Sequence, residues 1–171
     1  IGKVWVTPFD GLLTGGRIVE PAAYAGEKDM ACHARHGLRT PRTEIMYSAG
    51  GRAYVYLCYG IHHLFNVVTN KKDIPHAILI RAIEPMDGIN IMLKRSGKSS
   101  LDFTLTRGPG NVSKAMGILT RHSGLDLLGD ELFIARDDFF LSKKVDYAGS
   151  DAKLPYRFIM KNNRYVSKPK K

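Results

Sequence analysis

In the stretch VEPAAY, residues 19–24, a carboxylate and a phenol stand close together as Glu20 and Tyr24. A positioned carboxylate can take a proton from water, and a tyrosine ring offers an apolar face with one polar handle. A hydrolytic site would want a second acidic side chain between them, and only Pro21, Ala22 and Ala23 are there. Further on, Tyr54, Tyr56 and Tyr59 crowd beside Gly60. In an extended strand Tyr54 and Tyr56 share a face. They are either ordinary cross-strand aromatics or a platform for stacked bases, worth ~1–3 kcal/mol per base.

Arg81 lies inside the apolar run ILIRAIEP, and Asn66 follows another apolar stretch. A buried arginine needs a partner, so Glu84, Glu20 or a ligand anion is expected beside it. Buried Asn66 would need hydrogen-bond partners too. A structural network accounts for both residues as well as a binding site does. The histidines (His33, His36, His62, His63, His76 and His122) match no zinc spacing. The GPG turn at 108–110 lacks the Lys and Ser/Thr of a phosphate loop. Neither metal nor cofactor is expected.

These residues need elements to hold them. GKVWVTPFDGLLTGGRIVE reads as a β-hairpin, with strands at Lys3–Val6 and Arg17–Glu20 around a glycine-rich turn. GEKDMACHARHG has short-helix character, with Asp29 placed to cap the following turn. RAYVYLCYG and IHHLFNVVT form a second hairpin about Gly60, and HAILIRAIEP is a strongly apolar strand ending at Pro85. DGINIMLKRSG and GNVSKAMGIL carry helical spacing. DELFIAR and YRFIMKNNRYVS read as late strands, the second turning at Asn162–Asn163. Strands run together rather than alternating with long helices. The pattern predicts an α+β fold, a single mixed domain over residues 1–167 with a mostly antiparallel sheet. A basic tail, KPKK, follows at 168–171.

The chain has 171 residues, and 26 Lys plus Arg against 16 Asp plus Glu give a net charge of +10. Such a balance points to a polyanionic partner, above all nucleic acid, because phosphate contacts release condensed counterions. No apolar run approaches the ~20 residues of a membrane span, and no signal-peptide pattern opens the chain. It begins at Ile1 without Met, which points to a missing leading segment. Cys32 and Cys58 show no paired spacing and read as reduced thiols.

The stretches GRIVEPAAYAGEKDMACHARHG, TPRTEIMY, AYVYLCYGIHHLFNVV, AILIRAIEP with the following DG, GPGNVSKAMGI, VDYAGSDAKLPYRF and YVS occur in this order over nearly the whole chain. In them the chain resembles the alkyladenine (3-methyladenine) DNA glycosylase family. The resemblance implies a metal-free domain around a curved antiparallel sheet, with a hairpin that enters the minor groove of DNA. A damaged purine, alkylated or deaminated, would rotate out of the duplex, and its N-glycosidic bond would be hydrolysed in base excision repair. Tyr59 matches the intercalating residue that fills the vacated space. Tyr24, His33 and Tyr56 match the residues that sandwich the extruded base, where an electron-poor purine meets electron-rich rings. Asn66 matches the residue that rejects normal guanine by clashing with its exocyclic amine. Arg81 matches a residue that helps hold the attacking water, and Val145 one whose backbone carbonyl touches it. The run LSKKVDYAG is a couple of residues shorter before Val145 than the family pattern. The implied partner is double-stranded DNA with a damaged purine, bound by a monomer with no membrane attachment. The implied location is cytoplasmic and nucleoid-associated in a bacterium, nuclear in a eukaryote.

One position departs from the pattern. The family motif is Glu-x-Glu-Ala-Tyr, its second Glu being the general base, and Ala22 stands there. A methyl group accepts no proton, and loss of a positioned base costs ~10²–10⁴ in rate. Three accounts fit: a substitution made to trap a complex, a natural damage-binding protein without turnover, or Glu20 serving as substitute base. The otherwise complete pocket favours the first. Glu20 would lie about 6–7 Å from position 22 along the strand, too far for direct proton abstraction. A general RNA-binding domain is a further alternative, and it expects no convergence of Tyr24, His33, Tyr56 and Asn66.

Overall fold

A computed structural model describes residues 1–135 and 157–167 of the chain. Six strands form one antiparallel sheet that curls into a half-barrel. They are β1 (Val4–Phe9), β2 (Leu12–Tyr24), β3 (Ala53–Cys58), β4 (His62–Thr69), β5 (His76–Asp87) and β6 (Phe133–Ala135). Their order across the sheet is β3-β4-β5-β2-β1-β6. Two short helices, α1 (Ile89–Ser96) and α2 (Pro109–Met116), complete an α+β fold. Both end on glycines in the left-handed region, Gly97 at φ 69° and Gly117 at φ 74°. Gly accepts that conformation without a Cβ penalty, so each helix stops there.

Alternation sends the two faces of the sheet to different tasks. Trp5, Val55, Phe65, Ile80 and Ile83 face the helices and pack with Met92, Val112, Ala115 and Met116. Trp5 stacks on Phe65 with ring centroids 4.2 Å apart, which ties β1 to β4 across the curl. On the opposite face one row crosses four strands, Tyr54 against Asn66, Asn66 against Leu79, and Leu79 against Ala22. That row underlies everything described below.

The irregularities of the sheet fall beside the same row. The β2–β5 register shifts on both sides of Glu20, leaving Val19 and Arg81 without ladder partners. Such bulges re-aim side chains. Two segments cover strand edges that the ladder leaves open. Past the end of β1, Phe158 N and Met160 N donate to Pro21 O and Val19 O, and Arg157 bridges Ala22. Past the end of β4, Ile83 N donates to Thr106 O and Arg107 bridges Ala82, which carries α2 to the rim of the concave face.

Several sequence expectations change in detail. The first hairpin turns at Asp10–Gly11, with φ 55° and 70°, the two-residue geometry that matches strand twist. Of the glycines in the stretch read as its turn, Gly11 sits at the turn and Gly15 and Gly16 lie inside β2. A Cβ on Gly16 would sit 2.8 Å from Ile83 Cδ1 and 2.9 Å from Glu84 O, so β5 comes close enough to demand glycine. β5 runs past Pro85 to Asp87. The helix expected after Tyr24 is a pair of 3₁₀ turns, Gly26–Lys28 and Arg35–Gly37. Asp29 caps between them as expected, accepting from Ala25 N at 2.9 Å and Ala31 N at 3.0 Å. Residues 157–167 form no strand pair of their own; they dock on β2 and turn at Asn162, φ 61°. Val145 and the tail at 168–171 lie outside the described residues. Among the described residues no helix is long and apolar enough to cross a membrane.

Candidate active site

A cavity of about 520 Å³ opens on the concave face. Tyr24 comes from the end of β2, Tyr54 and Tyr56 from β3, Asn66 from β4, Arg81 from β5 and His33 from the loop after β2; all line it. The rim is Tyr59 and His62 of the β3–β4 hairpin on one side and Gly108–Asn111 on the other. Period-two alternation explains the convergence, because Tyr54, Tyr56 and Cys58 share a face with their cross-strand partners Asn66, Leu64 and His62.

The aromatic wall is a fixed cluster. The His33 ring meets Tyr56 edge-on at 4.6 Å, and Tyr54 lies 5.4 Å from Tyr56. His33 Nδ1 lies 2.9 Å from Tyr54 Oη. Burial, aided by the positive charges of Arg42 and Arg35, pushes the His33 pKa down to about 4. Burial pushes the Tyr54 phenol up to about 12. Both groups are therefore neutral near pH 7. Among the described residues His33 is the partner of the Tyr54 hydroxyl, and a hydroxyl that donates to Nδ1 leaves the imidazole proton on Nε2.

Protonation of His33 should be visible in two ways. Its ring C–H resonances are expected to titrate near pH 4, not near the ordinary 6.5. The unfolded chain then binds more protons than the native one between those values, so stability should fall as pH drops from 6.5 through 4. His33→Gln should remove that part of the slope, and a native titration near 6.5 would contradict the assignment.

Asn66 is 2% exposed and spends Nδ2 on backbone carbonyls, Tyr54 O at 3.1 Å and Leu64 O at 3.3 Å. That orientation leaves its side-chain carbonyl as the group available to a ligand. Tyr59 is 92% exposed at the hairpin tip, with φ 51°, next to exposed Ile61 and Leu57.

Arg81 finds one of its expected partners, donating from Nε to Glu20 Oε1 at 2.8 Å. Glu20 is 0% exposed and serves more than Arg81. Its Oε1 also lies 2.9 Å from Arg157 Nη2 and 2.6 Å from Ser167 Oγ. Ser167 N donates to Oε2 at 2.6 Å. Two guanidinium groups and a capping serine thus surround one carboxylate, which compensates a charge too costly to bury alone. Glu20 does not line the cavity. Ala22 is buried in the row of Asn66 and Leu79, both of which do.

Tyr54, His62 and Gly108–Asn111 were not among the site residues expected from sequence. The Tyr54–Tyr56 alternation carried a signal for the first; His62 comes with the β3–β4 hairpin, and Gly108–Asn111 arrive through the edge docking of residues 106–107. Arg157 and Ser167 carried no local signal at all. Among the described residues no group of three or more His, Cys, Asp or Glu is placed to hold a metal ion, and Cys32 and Cys58 are free thiols.

Comparison with known proteins gives the chain a family. Residues 1–164 match the family model described as Methylpurine-DNA glycosylase (MPG). A protein of Bacillus cytotoxicus is 42% identical over 98% of this chain and 91% of its own length. A Chlamydia abortus protein is 42% identical over 94% of this chain and 88% of its own. One from Clostridium acetobutylicum is 42% identical over 100% of this chain and 90% of its own. Each of the three is named "Putative 3-methyladenine DNA glycosylase". With matches this long and this similar, the chain belongs to the methylpurine-DNA glycosylase family.

Proposed function

We propose that the chain binds double-stranded DNA as a monomer, extrudes a damaged purine into the concave cavity and is built to hydrolyse its N-glycosidic bond. The observation that carries this is the convergence of Tyr24, His33, Tyr56, Asn66 and Arg81 on one cavity of about 520 Å³, roomy enough for a purine, beside the exposed Tyr59. An RNA-binding domain would not need that convergence. Tyr59 enters the stack in place of the extruded nucleotide, while the three rings hold the base. Alkylation makes the purine cationic and electron-poor, which strengthens its attraction to tyrosine faces. Asn66 meets the base edge with an acceptor and excludes the exocyclic amine of guanine by steric contact.

In the reaction, water adds to C1′ of the deoxyribose as the C1′–N9 bond breaks. The electron pair leaves with the base, and an abasic site and a free purine result. Arg81 and the backbone carbonyl of Val145 hold the water. No metal or cofactor enters. The missing part is a group at position 22 to take the proton from water, so turnover by this chain is impaired. The relatives named above are bacterial, which fits action in a bacterial cytoplasm at the nucleoid.

A second reading is a protein that recognises damage without cutting it. The saturated hydrogen bonding of Glu20 favours it, because that carboxylate is not free to replace the missing base. Both readings require lesion recognition, which a binding measurement tests. A duplex with one hypoxanthine should bind more tightly than its guanine counterpart. Tyr24→Ala and Tyr56→Ala should each remove about 1–3 kcal/mol of that preference. Equal affinity of the unaltered chain for the two duplexes would sink both readings.

A further inference from the structure

On the other flank of the β3–β4 hairpin a second hollow of about 420 Å³ opens. Arg95, Lys114, Arg121, His62 and His63 line it, against one acid, Asp10. It shares His62 and Gly110 with the base cavity, so the two hollows meet beneath the hairpin. Ile61, 71% exposed, borders this groove as Tyr59 borders the cavity. The hairpin tip therefore divides a ring-lined hollow from a cationic one.

Among the described residues the permanent cations of the groove form no ion pair with a carboxylate. Arg95 Nη1 donates to Thr14 Oγ1 at 3.2 Å and Ala115 O at 3.4 Å, a neutral bracing that fixes the guanidinium. Lys114 Nζ donates to Ser96 O at 3.3 Å. Arg121 is exposed and makes no hydrogen bond or ion pair with any described residue. Elsewhere guanidinium groups meet acids, as in Arg17–Glu84, Arg39–Glu44 and Arg52–Asp126. Unmatched cations facing one another across a concave wall focus a positive potential and favour a polyanion there.

We propose that this groove is a backbone subsite for duplex DNA, which seats phosphates flanking the point where the hairpin tip enters. This rests on the reading that the hairpin inserts into DNA. A duplex straddling the tip must continue on the flank away from the base cavity, and this groove is the surface it meets. Arg121 and Lys114 reach phosphates as mobile point contacts, and Arg95 presents a pre-oriented fork from the back wall. Such contacts position the protein on the duplex without reading sequence.

The test is the salt dependence of binding, by fluorescence anisotropy, to an undamaged duplex and to the same duplex with one hypoxanthine. Arg121→Gln and Lys114→Gln, neither of which breaks an ion pair, should each weaken binding to both duplexes. Each should also lower the slope of log K against log salt by about 0.9. Lys71→Gln, in the turn at the other end of β4, should leave the slope alone. Slopes unchanged in the groove variants, or changed no more than by Lys71→Gln, would overturn the subsite. Failure of the base-pocket reading looks different, since the preference for hypoxanthine would then be absent while the groove variants still lower the slope.

Discussion

Ala22→Glu is expected to speed N-glycosidic hydrolysis about 10²–10⁴-fold in single turnover, the usual worth of a positioned general base. Position 22 faces the same side of the sheet as Asn66 and Leu79, and its strand neighbour two residues back is Glu20, beside Arg81. A longer side chain there would project toward the cavity that the rings and Arg81 line. The gain should depend on the lesion. A 7-methylguanine already departs as a neutral base from a cationic ring, so the unaltered chain should retain some excision and the rescue should be small. Hypoxanthine departs less readily and should show the larger ratio. Equal rates with and without the carboxylate on both lesions would mean that water is activated elsewhere. A variant that binds lesion duplex tightly yet cuts neither would mark a dedicated damage binder.

The second large effect concerns Glu20. Removing it by Glu20→Ala takes the shared carboxylate away from Arg81 and the buried Arg157, and breaking such a group typically costs about 3–5 kcal/mol. Urea denaturation should register that loss. Preference for the hypoxanthine duplex should fall with it, because Arg81 loses the carboxylate that orients it and residues 157–167 keep only their backbone bonds to β2. Glu20→Gln keeps an acceptor for Ser167 N and removes the charge, so an intermediate loss is expected. Were Glu20 the substitute base, Glu20→Gln would instead abolish residual 7-methylguanine excision while leaving stability unchanged.

What the sequence made legible follows from the range of each signal. Alternation in RAYVYLCYG and HAILIRAIEP is local, so β3, β4, β5 and the shared face of Tyr54 and Tyr56 could be read directly. Asp10–Gly11 carried a proper hairpin signal but competed with Gly15–Gly16, whose real cause is the close approach of β5. No local pattern announces an approach from a strand so far along the chain. The same holds for the late segment: its alternating residues suggested a hairpin, whereas its partner is the edge of β2 that β1 leaves open. In the site, Glu20 was foreseen as a partner of Arg81. That Arg157 and Ser167 complete its surroundings was not, since neither residue type nor spacing near them points to a carboxylate.

The hydrogen bonds between Glu20 and Ser167 join residues 147 positions apart. Ordering that much chain before a contact is rewarded makes such a closure slow and late. The hairpins β1–β2 and β3–β4 close over short loops and can assemble long before. During synthesis, then, the ring-lined half of the cavity can exist while Glu20 still lacks its serine cap. Completion of the wall around Glu20 and Arg81 is tied to the emergence of residue 167 from the ribosome, so a truncated product would carry the β3–β4 hairpin beside an unfinished carboxylate cluster.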